Sequence, residues 1–140
     1  MVTTAGTEPI CLNAQSMGRT AHYRIAAGDG VYLTFPHSIY STLVEEHFRV
    51  TAQGFQLVEL RYADPRLVEF YGHEWAANED GRWVVRKRGP LLPTLDLRVS
   101  PGSWIAVLFG DENLTLQQHN ALSDGHARLT LSACPRSDDG

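Results

Sequence analysis

Apolar and β-branched residues alternate with polar ones in short runs along most of the chain. A period of two is typical of a strand with one buried face, and the Gly-Asp, Asp-Gly and Pro-Gly pairs between the runs are typical of tight turns. Runs that recur about every 8 to 15 residues indicate consecutive hairpins. The pattern predicts about nine strands, at residues 22–26, 31–37, 43–51, 55–62, 82–87, 94–99, 104–109, 114–119 and 126–133.

This spacing predicts an all-β fold, either an antiparallel β-sandwich or an open barrel. Two segments depart from the pattern. Residues 64–72 begin with an Asp-Pro pair and end on Gly72, which predicts one short helical turn. Residues 89–93 predict a bend, because proline removes a backbone donor and restricts the residue before it.

Composition changes at both ends of the chain. Residues 1–20 are rich in Thr, Ser, Gly, Ala and Asn, with one short strand-like stretch at residues 10–12, so we expect a poorly structured lead-in. Residues 21–134 form the predicted single β domain, and residues 135–140 form a polar tail. With 43% hydrophobic and 20% charged residues, a chain of 140 residues can build one core.

The net charge of −4 predicts no nucleic-acid partner, because such partners need many positive side chains along one surface. The one dense basic run, residues 82–88, is interpreted as a solvated strand end. No stretch approaches the roughly 18 apolar residues that span a bilayer, and residues 1–20 hold no export-type pattern. The sequence as it stands predicts a cytoplasmic location, or a periplasmic one if an export signal has been removed.

Two cysteines, Cys11 and Cys134, lie near opposite ends of the chain, and neither belongs to a CxxC pair. One interpretation is two buried thiols in a reducing cytoplasm. The other is a disulfide that joins terminal strands lying side by side, which would indicate an oxidising compartment.

The most informative polar residues lie in the predicted hairpin of residues 31–51. Side chains alternate between the faces of a strand, so His37 and Glu46 each share the apolar face of their own strand. A hairpin that keeps both apolar faces on one side places His37 opposite Glu46 or one diagonal step away. A carboxylate removed from water needs a donor, so the pattern predicts contact between the two side chains.

Two interpretations of this pair remain open. It either pins the hairpin loop as a satisfied polar contact, or it opens into a pocket for a small polar ligand, with Ser38 and Thr42 as further contacts. Trp75 lies in a polar stretch outside the predicted strands, where a tryptophan can cap a pocket or a partner surface. The predicted ligand-binding residues are therefore His37, Ser38, Thr42, Glu46 and Trp75.

The alternative to a binding module is a small hydrolase or metal-binding protein that uses His37 and Glu46. Ser38 is poorly placed to give its proton to His37, because adjacent strand residues point to opposite faces, and there is no GxSxG elbow. The six histidines show no HExxH spacing, and there is no phosphate loop or dinucleotide fingerprint. We therefore predict a non-catalytic module without a cofactor.

The same hairpin carries a family resemblance. His-Ser-Ile at residues 37–39 is followed by Thr-Leu-Val-Glu-Glu-His-Phe at residues 42–48. Over roughly residues 23–133, the chain resembles the bacterial domain-of-unknown-function family eighteen-fifty, whose pattern has a His-Ser-Val opening, a Thr-Pro-Val-x-Glu stretch and then an aromatic residue. The matching positions are His37, Ser38, Thr42, Glu46 and Phe48, whereas Leu43 replaces the usual proline and residues 67–72 replace a Gly-Ala-Gly stretch.

This resemblance implies a role beside a transporter. Members look like small proteins encoded next to the membrane subunits of tripartite periplasmic (TRAP) transporters of the TAXI type. The resemblance therefore implies an accessory role in solute uptake, with a TRAP membrane subunit or solute-binding subunit as the partner. Many members begin with a hydrophobic export segment.

Overall fold

The computed structural model describes residues 9–117 and 125–134. Within them the chain forms twelve strands and one short helix, so the predicted all-β fold is confirmed. The strands are β1 (Ile10–Ser16), β2 (Arg19–Ile25), β3 (Gly30–Pro36), β4 (Leu43–Thr51), β5 (Gly54–Tyr62), β6 (Ala77–Glu79), β7 (Arg82–Arg86), β8 (Leu91–Leu92), β9 (Thr94–Arg98), β10 (Trp104–Phe109), β11 (Glu112–Gln117) and β12 (His126–Ala133), and the helix is α1 (Arg66–Phe70).

The strands form two packed sheets, and every strand pairing in them is antiparallel. The smaller sheet has the order β2-β1-β12-β9. The larger sheet has the order β11-β10-β3-β4-β5-β7-β6, and β8 also pairs with β5. Three predicted strands have the observed bounds, namely β4, β10 and β12, and the other six overlap their observed counterparts. Residues 118 and 119 of the predicted eighth strand lie outside the described residues.

The predicted lead-in is wrong for residues 10–20, because they form β1 and the start of β2. β1 lies between β2 and β12, and Leu12 is fully buried. The turn between β1 and β2 is Met17-Gly18, with φ of 52° and 75°. Two-residue turns of this kind need positive φ and are usually marked in a sequence by Asn-Gly or Asp-Gly. Met17 rarely adopts positive φ, so the Met-Gly pair does not indicate a hairpin. Residues 1–8 and the predicted tail 135–140 lie outside the described residues.

The predicted helical turn is present as α1. It follows Pro65, and the Arg66 N–H donates to Asp64 Oδ1 at 2.9 Å. Gly72 follows the helix with φ of 75°, the left-handed conformation that often ends a helix. The pattern does not predict β6 or β8, because strands of three and two residues are too short for alternation to be visible.

Two hydrophobic cores fill the fold. The main core lies between the sheets and comprises Leu12, Val31, Leu33, Phe48, Val50, Phe55, Leu95, Leu97, Val107, Phe109, Ala127 and Leu129. The second core lies between α1 and the larger sheet and comprises Val44, Tyr62, Leu67 and Val85. Phe35 packs against both cores, so it marks the boundary between them.

A β-bulge allows β5 to serve both cores. The β4–β5 pairing shifts between His47 and Phe48, which makes Val58 an extra residue in β5. An extra residue moves the following side chains to the opposite face. Phe55 therefore packs in the main core, and Tyr62 packs in the second core.

A disulfide joins Cys11 in β1 to Cys134 after β12, with their Cα atoms 4.8 Å apart. The two strands pair from Ile10 and Ala133 onwards, and the Cys134 N–H donates to the Pro9 carbonyl at 3.1 Å. The interpretation as two free thiols is therefore wrong. The disulfide between neighbouring terminal strands is confirmed.

We expect loss of the disulfide to destabilise the fold by several kcal/mol. The bonded cysteines are separated by 123 residues in sequence, and a cross-link over a loop of this size typically stabilises a protein by about 2 to 5 kcal/mol. Cys11→Ser combined with Cys134→Ser should lower the free energy of unfolding in urea by that amount. Reduction of the wild type should reproduce the loss, and equal urea midpoints for the oxidised protein and the double variant would contradict the prediction.

Candidate functional site

A cavity of about 720 Å³ lies at the boundary between the main core and the second core. Its walls come from β3, β4, β9 and β10, the loop of residues 100–103, and Tyr71 after α1. The smaller sheet ends at β9, and α1 packs farther along the larger sheet. The cavity lies between them, on the inner face of the larger sheet. Cavities of about 300 to 1,000 Å³ are typical of small-molecule sites.

Three of the five predicted ligand-binding residues line the cavity, namely His37, Ser38 and Glu46. Thr42 and Trp75 are not part of its wall. The Thr42 hydroxyl oxygen is buried and makes no hydrogen bond to the described residues. Trp75 is 72% exposed, as expected for a tryptophan outside the strands, but it lies in the segment between α1 and β6 and caps no part of this cavity.

His37 and Glu46 do not form the predicted pair. Leu33 lies opposite Glu46 in the β3–β4 hairpin, so His37 is two same-face positions beyond the residue that faces Glu46. The face of each side chain is as predicted, but the register differs, because Pro36 pairs with Leu43 at the end of the hairpin. The loop closes with a hydrogen bond from the His37 N–H to the Thr42 carbonyl at 2.8 Å, and Ser41 takes a φ of 56° to complete the turn.

The ring of His37 stabilises the loop between β3 and β4 by hydrogen bonds to the loop backbone, without a contact to Glu46. Its Nδ1 accepts hydrogen bonds from the N–H groups of Ile39, at 3.1 Å, and Tyr40, at 3.3 Å. An Nδ1 that accepts leaves the neutral ring with its proton on Nε2. The ring is buried against Phe70, with centroids 4.9 Å apart. His37 is therefore a donor at Nε2, and this tautomer offers no nitrogen lone pair for a base or a metal ligand.

Glu46 is the unusual group of the site. It lies between the buried residues Val44 and Phe48 along the inner face of β4. Burial raises the pKa of Glu46, and no hydrogen bond or ion pair from the described residues opposes that rise. The carboxyl group faces the cavity, where it is partly exposed to solvent, and it has no hydrogen-bond or ion-pair partner among the described residues.

Aromatic rings border the cavity on the α1 side. The Tyr71 ring lies 5.7 Å from the His37 ring and stacks on Tyr62 at 5.5 Å. Burial raises the pKa of the Tyr71 hydroxyl, and the nearby charge of Glu46 adds to the effect. Tyr71 is about half exposed, so its ring forms part of the rim of the cavity on this side.

The opposite wall belongs to β9, and the sequence alone does not predict it. Asp96 and Arg98 line the cavity there. Asp96 is already paired, with Oδ1 2.8 Å from Arg128 Nε and 3.6 Å from His126 Nε2. Only the packing of the two sheets brings this strand near Glu46, so no local pattern in the chain indicates the contact.

The outer face of the larger sheet carries a network of charges. Arg86 contacts Glu59 at 3.0 Å and Glu79 at 2.5 Å, and Arg82 contacts Glu45 at 3.6 Å. Cross-strand pairs of opposite charge stabilise a sheet modestly. The basic run found in the sequence is thus partly neutralised by carboxylates on neighbouring strands.

Comparison with protein-family models, curated proteins and solved structures found no match to this chain. Among residues 9–117 and 125–134, there is no helix of the length and apolarity needed to cross a membrane. The same residues contain no group of three His, Cys, Asp or Glu side chains placed to hold a metal ion.

We expect Glu46→Gln to stabilise the fold at neutral pH. Burial raises the folded-state pKa of Glu46 above its ordinary value of 4.5. The contribution of Glu46 to the free energy of unfolding is therefore fully present below its ordinary pKa and is lost as pH rises through its folded-state pKa. Glutamine keeps the shape without the charge. The variant should be more stable than the wild type at pH 7, by about 1.4 kcal/mol for each pH unit by which the pKa is raised, and should show no advantage at pH 4.

The matched control is Glu45→Gln on the outer face. Glu45 contacts His47 Nε2 at 3.3 Å and Arg82 at 3.6 Å, so its replacement should leave stability unchanged or lower it by up to about 1 kcal/mol. Urea unfolding of the three proteins at both pH values gives the comparison. If Glu46→Gln were no more stable than the wild type at pH 7, the carboxyl group would be satisfied within the fold.

Proposed function

We propose that this chain is a non-catalytic binding module that holds a small ligand with a cationic or hydrogen-bond-donating head group. The observation that carries the proposal is Glu46, whose carboxyl group lies in the cavity wall with its pKa raised by burial. Even partial burial of a carboxyl group without a partner costs stability. A purely structural glutamate would have its donor within the fold, whereas a binding residue receives its donor from the ligand.

The Glu46 carboxylate favours a cationic head group on the β4 side of the cavity, opposite the β9 wall that holds Asp96 and Arg98. Asp96 has Arg128 as its partner, at 2.8 Å, whereas Glu46 contacts no cation among the described residues. An ammonium group beside Glu46 would favour the ionised carboxylate, and a hydrogen bond to a charged group typically contributes about 1.5 to 3 kcal/mol. Phe35 and Tyr71 add apolar wall for the carbon atoms of the ligand.

The state of His37 favours binding over hydrolysis or metal chemistry. A general base needs a free nitrogen lone pair near the group that it deprotonates. Nδ1 of His37 is occupied by two backbone N–H groups, and Nε2 carries the proton. This arrangement suits a donor to an acceptor atom of the ligand, while Glu46 takes the donor or cation.

A narrower proposal rests on the resemblance to family eighteen-fifty, namely that the module assists a TAXI-type TRAP transporter. The Cys11–Cys134 disulfide supports an oxidising compartment such as the periplasm, because disulfides seldom persist in a reducing cytoplasm. Cross-linking in cells, followed by purification of the tagged chain, should recover a membrane subunit or a solute-binding subunit of the transporter. Recovery of neither subunit would contradict this narrower proposal and leave the binding module standing.

The cationic head group can be tested with cadaverine and its uncharged diacetyl derivative. Calorimetry should show binding of cadaverine that Glu46→Gln weakens by about tenfold or more, because a charge-assisted contact is lost. Affinity should rise with pH through the folded-state pKa of Glu46, since binding selects the ionised carboxylate.

Glu45→Gln again serves as the control and should bind cadaverine as the wild type does, because Glu45 lies on the outer face. Absence of cadaverine binding, or equal binding of the diacetyl derivative, would refute the cationic head group. Equal affinity in the wild type and Glu46→Gln would refute the site.

A further inference from the structure

Within residues 9–117 and 125–134, no strand pairs with the edge of β9 that borders the cavity. β9 pairs with β12 on one side and is the last strand of the smaller sheet. The Val99 N–H donates to the Gly125 carbonyl at 2.7 Å, in the same register as the pair Arg98 and His126. Hydrogen-bonded positions alternate along an antiparallel strand. The N–H and C=O groups of Asp96 and Arg98 therefore point away from β12, and no described backbone group bonds to them.

This free edge forms a wall of the cavity. Residues 96–100 all line it, and Leu97 and Val99 turn their side chains into the fold. The two outward-pointing residues are spaced about 7 Å apart, the distance between alternate residues of any extended chain. An extended peptide can therefore pair with both of them at once, as peptides do when they add a strand to a sheet.

We propose that the ligand of this cavity is an extended peptide segment that adds to the free edge of β9 and points a lysine side chain at Glu46. The proposal rests on the binding function above and names its ligand class. Residues directly opposite each other on neighbouring strands share a face. The peptide residue opposite Leu97 therefore points inward, as Leu97 does, and enters the cavity that Glu46 also lines.

The probe is the peptide acetyl-Thr-Thr-Lys-Thr-Thr-amide, labelled for fluorescence anisotropy and tested on the full chain. Arg98→Pro removes the outward N–H, and it leaves the β12 ladder intact because that N–H has no partner there. Arg98→Ala is the matched control, since it removes the same side chain and keeps the N–H. We expect Arg98→Pro to weaken binding by about tenfold relative to Arg98→Ala.

A second pair of probes keeps the test independent of the folding of Arg98→Pro. N-methylation of the residues on either side of lysine removes the peptide's own donors, and it should weaken binding to the wild type by about tenfold or more. Replacement of the peptide lysine by glutamine should weaken binding to the wild type and have little further effect on Glu46→Gln.

Three further outcomes distinguish strand addition by a peptide from binding of a small amine in the cavity. If Glu46→Gln weakens cadaverine binding but neither Arg98→Pro nor N-methylation affects the peptide, strand addition is wrong and the cationic site survives. If free lysine binds as tightly as the peptide, the ligand is a small amine and the peptide class is wrong. If sedimentation shows a dimer that Arg98→Pro dissociates, a second copy of this chain occupies the β9 edge, which also overturns the proposal.

Discussion

The unequal size of the two sheets is the constraint on which the site depends. Four strands cannot cover the inner face of eight, so the smaller sheet buries one part of the larger sheet and α1 buries another. The bulge in β5 lets a single strand supply apolar side chains to both cores. Between the cores, β3 and β4 form one wall of the cavity.

Burial beside the cavity raises the pKa of Glu46, so the ionised carboxylate is less favourable there than the neutral acid. Its neighbours along the inner face of β4 are buried apolar residues, and a hydrophobic residue at the same position would extend the core. Strain and unsatisfied polar groups concentrate at functional sites, because the ligand rather than the fold satisfies them. The disulfide that joins Cys11 in β1 to Cys134 after β12 is one source of stability that offsets this cost.

Local patterns in the sequence predict the strands well, because alternation and turn chemistry are local properties. The bounds of β4 and the inward faces of His37 and Glu46 follow from them. The register of the β3–β4 hairpin cannot be predicted in this way, because the conformation of its loop depends on hydrogen bonds from the loop backbone to the His37 ring. The sequence pattern does not predict the β1–β2 hairpin, because the turn uses Met17 at a positive φ. It does not predict the β9 wall of the cavity either, because only tertiary packing brings β9 near Glu46.

Titration of the Glu46 side-chain carboxyl carbon by NMR tests the binding role of Glu46 most directly. We predict a midpoint above the ordinary value of 4.5 in the free protein, because burial disfavours the charged form. Saturation with an amine ligand should move the midpoint down, because a cation beside the carboxylate favours ionisation. A midpoint at or below the ordinary value in the free protein would show that Glu46 already has a partner within the fold, and the proposed binding site would be wrong.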